Sequence, residues 1–364
     1  MVNCEEYKTA RDCTRAILRG NKLTQLTTIE FEAPYLIMIG DIADVAYAKT
    51  GFGILQWRPD SVAGQLRLPG CKVDMGIADL NIEQAVSVGV KSLIIGVAPI
   101  AGVIPDNWWQ VIEEAVTAGI DIVCGLHLKL GDIPAIASAA KKSGARLIDV
   151  RNPPKQLPVG NGQKRSGKRA LMVGTDCAVG KKYTALALEQ AMKNSGMNAT
   201  FRATGQTGIM LAGSGIPIDA VVSDFISGAA ELVSPGNDAN HWDVIEGQGS
   251  LFNPSYAGVS LGLLHGSQPD ALVVCHEANR QFIIGIENYL SPTITECIER
   301  NLLMASLTNP LVQCIGVSVN TSALSSDERE KFLSKISNET GLPCIDPLID
   351  GCGLLVNEIQ KRFH

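Results

Sequence analysis

The stretch ALMVGTDCAVGKKYTALALEQ, Ala170 to Gln190, constrains the 364-residue chain more than any other segment. A hydrophobic run ends at Gly174, a second glycine follows at Gly180, Lys181 comes next, and a helix-forming segment begins at once. Strand, glycine loop, lysine and helix in that order build a phosphate-binding loop. Successive backbone N–H groups, backed by the positive end of a helix, cradle a diphosphate, and the lysine adds a mobile charge. One position departs from the NTPase pattern. The hydroxyl that would hold Mg²⁺ after the lysine is replaced by Lys182, and Thr184 lies two positions too late. The cofactor-binding candidates are therefore Gly174, Thr175, Asp176, Cys177, Ala178, Val179, Gly180, Lys181 and Lys182.

The rest of the chain repeats one theme. In the first half the apolar runs YLIMIG, SLIIGV, DIVCGL and ARLIDV alternate with amphipathic segments such as NIEQAVSVG and DNWWQVIEEAVTAG. In the second half RALMVG, NATFRAT, WDVIEG, ALVVCH, VQCIGVSVN and LPCIDP are the strand candidates. Such alternation predicts parallel sheets covered by helices on both faces. Between the halves, residues 152–168 are rich in Pro, Gly and Lys and have no apolar period, as expected of a linker. We expect an α/β domain over residues 1–151 and a second, P-loop-containing α/β domain over residues 169–364.

Composition narrows the class. Hydrophobic residues make up 46% and charged residues 19%, a globular balance, and the net charge of −6 argues against nucleic acid as the main partner. The N-terminus, MVNCEEYKTARDCTRAILRG, lacks a basic segment followed by an unbroken apolar one, so no secretory signal is expected. The longest apolar run, SLIIGVAPIAGVI, is too short to span a bilayer and is broken by Gly and Pro. A soluble, cytoplasmic protein follows. Ten cysteines without a C-x-x-C pair read as free thiols in a reducing compartment. In HEANR, Arg280 stands where a metalloprotease helix needs its second histidine, and no metal is expected.

Four further patterns carry chemistry. In DVIEGQGS an apolar strand runs out at Glu246, where P-loop proteins place an acidic residue near the transferred group; Asp243 would point to the other side of the sheet layer. The glycine-rich stretch Ala203 to Phe225 follows a strand and offers Thr204, Gln206 and Thr207 to a ligand crevice at the carboxyl edge of a parallel sheet. An acidic substrate needs a cation with two parallel donors, and Arg58, Arg67, Arg202 and Arg280 lie outside obvious amphipathic helices. His265 and His276 flank the strand after the Glu246 loop and are candidate bases beside Glu246 itself. No G-x-G-x-x-G occurs in the first half, which argues against a dehydrogenase.

VGTDCAVGKK followed by VIEGQGS resembles the dethiobiotin synthetase branch of P-loop proteins. With AKTGFGILQW, GLHLKLGD, DVRNPP and GLPCIDPLIDG, the chain resembles more closely, over nearly its full length, a family once described only as a domain of unknown function. In that family a Rossmann-like N-domain precedes such a P-loop domain, and its members include a D-glutamate N-acetyltransferase. The resemblance implies transfer of acetyl from acetyl-CoA to the α-amino group of an acidic D-amino acid, with the donor on the loop Gly174 to Lys182 and the chemistry around Thr204 to Gly208 and Glu246. Glu246 or a nearby histidine would be the base, a glycine loop would stabilise the oxyanion, and Arg58, Arg202 or Arg280 would clamp the carboxylates. A homodimer is expected from the same resemblance. Two other classes stay open: an ATP- and Mg²⁺-dependent ligase or kinase, and a nucleotide-binding module without catalysis.

Overall fold

The computed structural model describes residues 28–97 and 104–363. The expected absence of a signal over residues 1–20, Cys4 and Cys13, and the second half of the apolar run 92–104 lie outside these. Among the described residues eleven strands form two sheets. The first comprises β1 (Tyr35–Gly40), β2 (Val62–Arg67), β3 (Ser92–Ile95), β4 (Asp121–Cys124) and β5 (Leu147–Asp149), ordered β2-β1-β3-β4-β5. Every neighbour pair is parallel, so each crossover carries a helix or loop across a face. The second comprises β6 (Lys168–Gly174), β7 (Ala199–Arg202), β8 (Trp242–Ile245), β9 (Ala271–Glu277), β10 (Gln313–Asn320) and β11 (Cys344–Ile345), ordered β11-β10-β9-β6-β8-β7, again all parallel.

Both faces of the second sheet are buried, and β6 shows why its sequence is a continuous apolar run. Ala170 and Met172 enter one core cluster, shared with Leu188 and Met192 of the helix Lys181–Asn194. Leu171 and Val173 enter the other, with Ile226 and Ala230 of the helix Ile226–Val233. A strand of period two cannot be apolar on two faces without being apolar throughout.

β2 was not among the expected strands, because VAGQLR has no apolar run. It forms at a sheet edge through tertiary partners. The buried Gln65 amide donates to Asp74 at 2.8 Å and to the Ile77 carbonyl at 3.0 Å, and its oxygen accepts from the Met75 N–H at 2.9 Å. Arg67 pairs with Asp74 and Asp79 and is thereby taken out of the substrate candidates.

The segment expected to link the domains is tied to the second one over much of its length. Asn161 and Gly162 N–H groups donate to Glu231, and Arg165 donates to the carbonyls of Ser234 and Gly266, both at 2.8 Å. The eight described cysteines are free. Among the described residues no helix is long and apolar enough to cross a membrane, and no group of three or more His, Cys, Asp and Glu residues could hold a metal ion.

Candidate active site

The loop after β6 closes on itself around one buried carboxylate. Asp176 is fully buried; its Oδ1 accepts from the Cys177 N–H at 2.6 Å and from Asn253 at 3.0 Å, and its Oδ2 from Arg280 at 2.9 Å and the Ile284 N–H at 2.7 Å. The backbone then turns left-handed at Ala178 (φ 57°) and Gly180 (φ 101°), and the helix Lys181–Asn194 begins. The first backbone bond of that helix is Thr184 N–H to Gly180 C=O at 3.0 Å, which leaves the N–H groups of its opening turn without intrahelical partners, as an anion cradle requires. Lys181 is buried and donates to the Asp176 carbonyl at 2.7 Å, so its charge sits inside the cradle. Burial alone pushes its pKa down, as a binding site for a dianion would reverse.

Lys182 does not point into open solvent. Its Nζ lies 4.5 Å from the Tyr183 ring centroid and so close to Gly53 of the helix Lys49–Trp57 that a methyl group there would stand 2.6 Å away. The second cation of the loop therefore reaches across to the first domain. Burial lowers its pKa, and Glu246 opposes that shift.

Glu246 follows β8, next to β6 in the sheet. It is 4% exposed, and its Oε2 accepts from the N–H groups of Thr204 at 3.0 Å and Gly205 at 2.9 Å. Oε1 takes neither bond. Burial raises the carboxyl pKa well above the usual range, the two N–H donors and Lys182 oppose it, and burial wins. The glycine loop 204–208 therefore spends the N–H groups of Thr204 and Gly205 on Glu246, and these two are not free for an oxyanion. Gly247, the next residue, has no room for a side chain: a Cβ would lie 1.6 Å from the Met172 carbonyl oxygen. Gly247→Ala is expected to destabilise the fold by about 1–3 kcal/mol through forced backbone displacement, measured by denaturant unfolding.

Cradle and carboxylate open into one cleft of about 1070 Å³. Its floor is the carboxyl edge of the second sheet, with Glu246, Gln248, Glu277, Asn320 and Asp346, and its opposite wall comes from the first sheet's helix and loops, with Lys49, Thr50, Leu126, His127 and Arg151. Carboxyl edges of parallel sheets are where βα loops diverge and leave a crevice; here two such edges face each other. The seam is pinned by the Thr207 hydroxyl donating to Thr50 at 3.1 Å and by Arg151 donating to Asp219 at 2.8 Å.

Comparison with known proteins places this architecture. Residues 158–356 match a domain of unknown function (DUF1611_C), P-loop domain, and residues 66–153 match its partner DUF1611_N, a Rossmann-like domain. The chain belongs to the DUF1611 family. Two relatives, from Tritonibacter scottomollicae and a Pseudoalteromonas species, are each named D-glutamate N-acetyltransferase; each is 46% identical over 328 residues, 90% of this chain and 98% and 99% of theirs. The crystal structure of a DUF1611 family protein from Anabaena variabilis aligns with a TM-score of 0.82 at 30% identity, covering 91% of this chain and 100% of that one.

Several candidate residues of this DUF1611 chain lie elsewhere. Arg58 donates to the Leu211 carbonyl at 2.9 Å and does not line the cleft. Arg202 is bound at 2.7 Å by Asp243, on the far side of the strand as its spacing from Glu246 required. Arg280 braces the phosphate loop through Asp176 and Glu277 and is spent there. His265 bonds the Met304 carbonyl at 3.1 Å, away from the cleft. His276 is buried beneath the loop, 3.0 Å from the Thr175 hydroxyl, with its pKa pushed down to about 4 by burial and by Arg280, so it supports Thr175 and takes no proton at neutral pH. Gln206, Thr207 and Glu246 line the cleft as expected, while Thr204 bonds the Glu246 carbonyl through its hydroxyl at 2.6 Å and holds that residue in place. Lys49, His127, Arg151 and Asp219 were missed as site residues. The quoted segments AKTGFGILQW, GLHLKLGD, DVRNPP and Ala203 to Phe225 contain all four, but nothing local marks which polar residue after a strand faces the partner domain.

Proposed function

We propose that this chain is an N-acetyltransferase that moves acetyl from acetyl-CoA to the α-amino group of D-glutamate, acting in the cytoplasm as a homodimer. One observation carries the reading: the diphosphate cradle and the raised-pKa carboxylate of Glu246 open into the same interdomain cleft. The two relatives named D-glutamate N-acetyltransferase supply the substrate.

The loop 174–182 would hold the donor's phosphates through its backbone N–H groups and Lys181. The α-ammonium of the acceptor must lose a proton before it attacks. Glu246, as carboxylate, takes that proton; the amine nitrogen bonds to the thioester carbonyl carbon, the C–S bond breaks, and the thiol leaves with a proton. A carboxyl group in a desolvated site is matched to this task because its pKa lies nearer that of the working pH than an exposed one. Cys177 lines the cleft, but burial raises its pKa and keeps it a thiol, which favours direct transfer over an acetyl-cysteine relay.

Incubation with acetyl-CoA and a panel of D- and L-amino acids, with free thiol followed over time, tests the reading. Thiol release stimulated by D-glutamate is expected; no release with any amino acid would reject it. The reaction is also expected to proceed in excess EDTA. Lys182 occupies the position of the Mg²⁺-binding hydroxyl and cannot ligate a cation in its charged form, and a diphosphate that is held but never cleaved needs no metal to neutralise it. Activity lost to EDTA and restored by Mg²⁺, or substrate-stimulated phosphate release from ATP, would favour the ligase instead.

A further inference from the structure

Residues lining the cleft carry polar atoms that the protein itself leaves unmatched. Arg151, just after β5, and Asp219, in the short turn Ile218–Ala220, approach from opposite domains and share one hydrogen bond, Nη2 to Oδ2 at 2.8 Å. Arg151 Nε and Asp219 Oδ1 are buried without a hydrogen-bond partner. So is Gln206 Oε1, which is packed against Gly125 after β4. All three residues line the cleft. Burying an unpaired donor or acceptor is costly, and a pair meant only as an interdomain strut would close through both atoms of each fork. Here a cationic donor, an anionic acceptor and an amide line one cleft together with Glu246, and Asp219 is close enough to raise the Glu246 carboxyl pKa.

We propose that Arg151, Asp219 and Gln206 form the receptor for the α-amino-acid head of the acceptor. Arg151 takes the carboxylate side-on through Nε and Nη2, in place of its bond to Asp219. Asp219 accepts from the amine and turns it toward Glu246, with Gln206 accepting alongside. His127, exposed on the same cleft wall, has its pKa lowered by partial desolvation first and by the Arg151 charge second, with Asp219 opposing, and adds a further hydrogen-bonding group beside the pair. The assignment rests on the acetyltransferase reading of the cleft, and it makes recognition depend on both domains at once.

Arg151→Gln, Arg151→Lys and Asp219→Asn test this through calorimetric titration of D-glutamate and of acetyl-CoA separately, together with steady-state kinetics. Arg151→Gln is expected to weaken D-glutamate binding about 10–100-fold, the worth of a charge-assisted fork, while acetyl-CoA affinity stays within about threefold and so reports an intact fold. Arg151→Lys keeps the charge without the fork and is expected to recover only part of the affinity. Asp219→Asn, which keeps the shape, should lower kcat for D-glutamate more than it changes acetyl-CoA binding. Unchanged D-glutamate affinity in Arg151→Gln, or unchanged kcat in Asp219→Asn, with the wild type binding and acetylating D-glutamate, overturns the receptor alone. A wild type that binds neither D-glutamate nor acetyl-CoA overturns the acetyltransferase reading and the receptor with it.

Discussion

Glu246→Gln is expected to lower the turnover of acetyl transfer by about 10²–10⁴ while leaving the affinities for acetyl-CoA and D-glutamate within a few-fold, because it removes a base without removing its shape. The amide oxygen of glutamine can still accept the Thr204 and Gly205 N–H bonds that Oε2 accepts now, so the loop 204–208 keeps its place. The pH profile carries the same signature. Glu246 works as the carboxylate, so activity rises with pH through its pKa, and burial moves that limb above the ordinary carboxyl value of 4.5. In Glu246→Gln the limb should vanish. The linkage to stability has the opposite sign. A carboxyl group whose folded pKa is raised favours folding below its unfolded value and loses that contribution as pH rises through the folded one. The wild type should therefore lose unfolding free energy relative to the glutamine variant between acid and neutral pH, as denaturant titrations at the two pH values would measure. Wild-type turnover in the variant from about pH 6 to 9 would move the base to another group.

Lys181→Ala is expected to weaken acetyl-CoA binding by about 1.5–3 kcal/mol, the worth of a charge-assisted phosphate contact, with D-glutamate binding nearly unchanged. The lysine is buried against the Asp176 carbonyl and gives up that bond, but the Asp176 carboxylate keeps its contacts with Asn253 and Arg280, which organise the loop. The cradle should therefore keep its backbone and lose only its mobile charge. Calorimetry on the variant decides the matter: an unchanged acetyl-CoA affinity would remove the loop from the donor site.

These two residues differ from Arg151 in how they could be found. Lys181 follows from nine consecutive residues, and Glu246 from a strand that runs into two glycines, so both are visible in local sequence. The arginines singled out by the same local reasoning, Arg58, Arg202 and Arg280, are each claimed by a partner within the protein. Whether a guanidinium is free for a ligand depends on what the fold sets beside it, and no spacing rule reports that.

The sequence by itself determined the two α/β halves, the strand–loop–helix at Gly174 to Lys182 and the strand-end carboxylate at Glu246. These rest on short-range chemistry: apolar runs whose period demands burial on both faces, and glycine at Gly180 where the backbone must turn left-handed. The tertiary structure alone decided that Lys182 reaches the first domain, that His276 lies beneath the loop, and that Arg151 meets Asp219 across the cleft from 68 residues away. The physical reason is that a cleft between two sheets belongs to neither chain segment. Its side chains are brought together by the order of strands and the packing of one carboxyl edge against another, a long-range condition that no window of sequence contains.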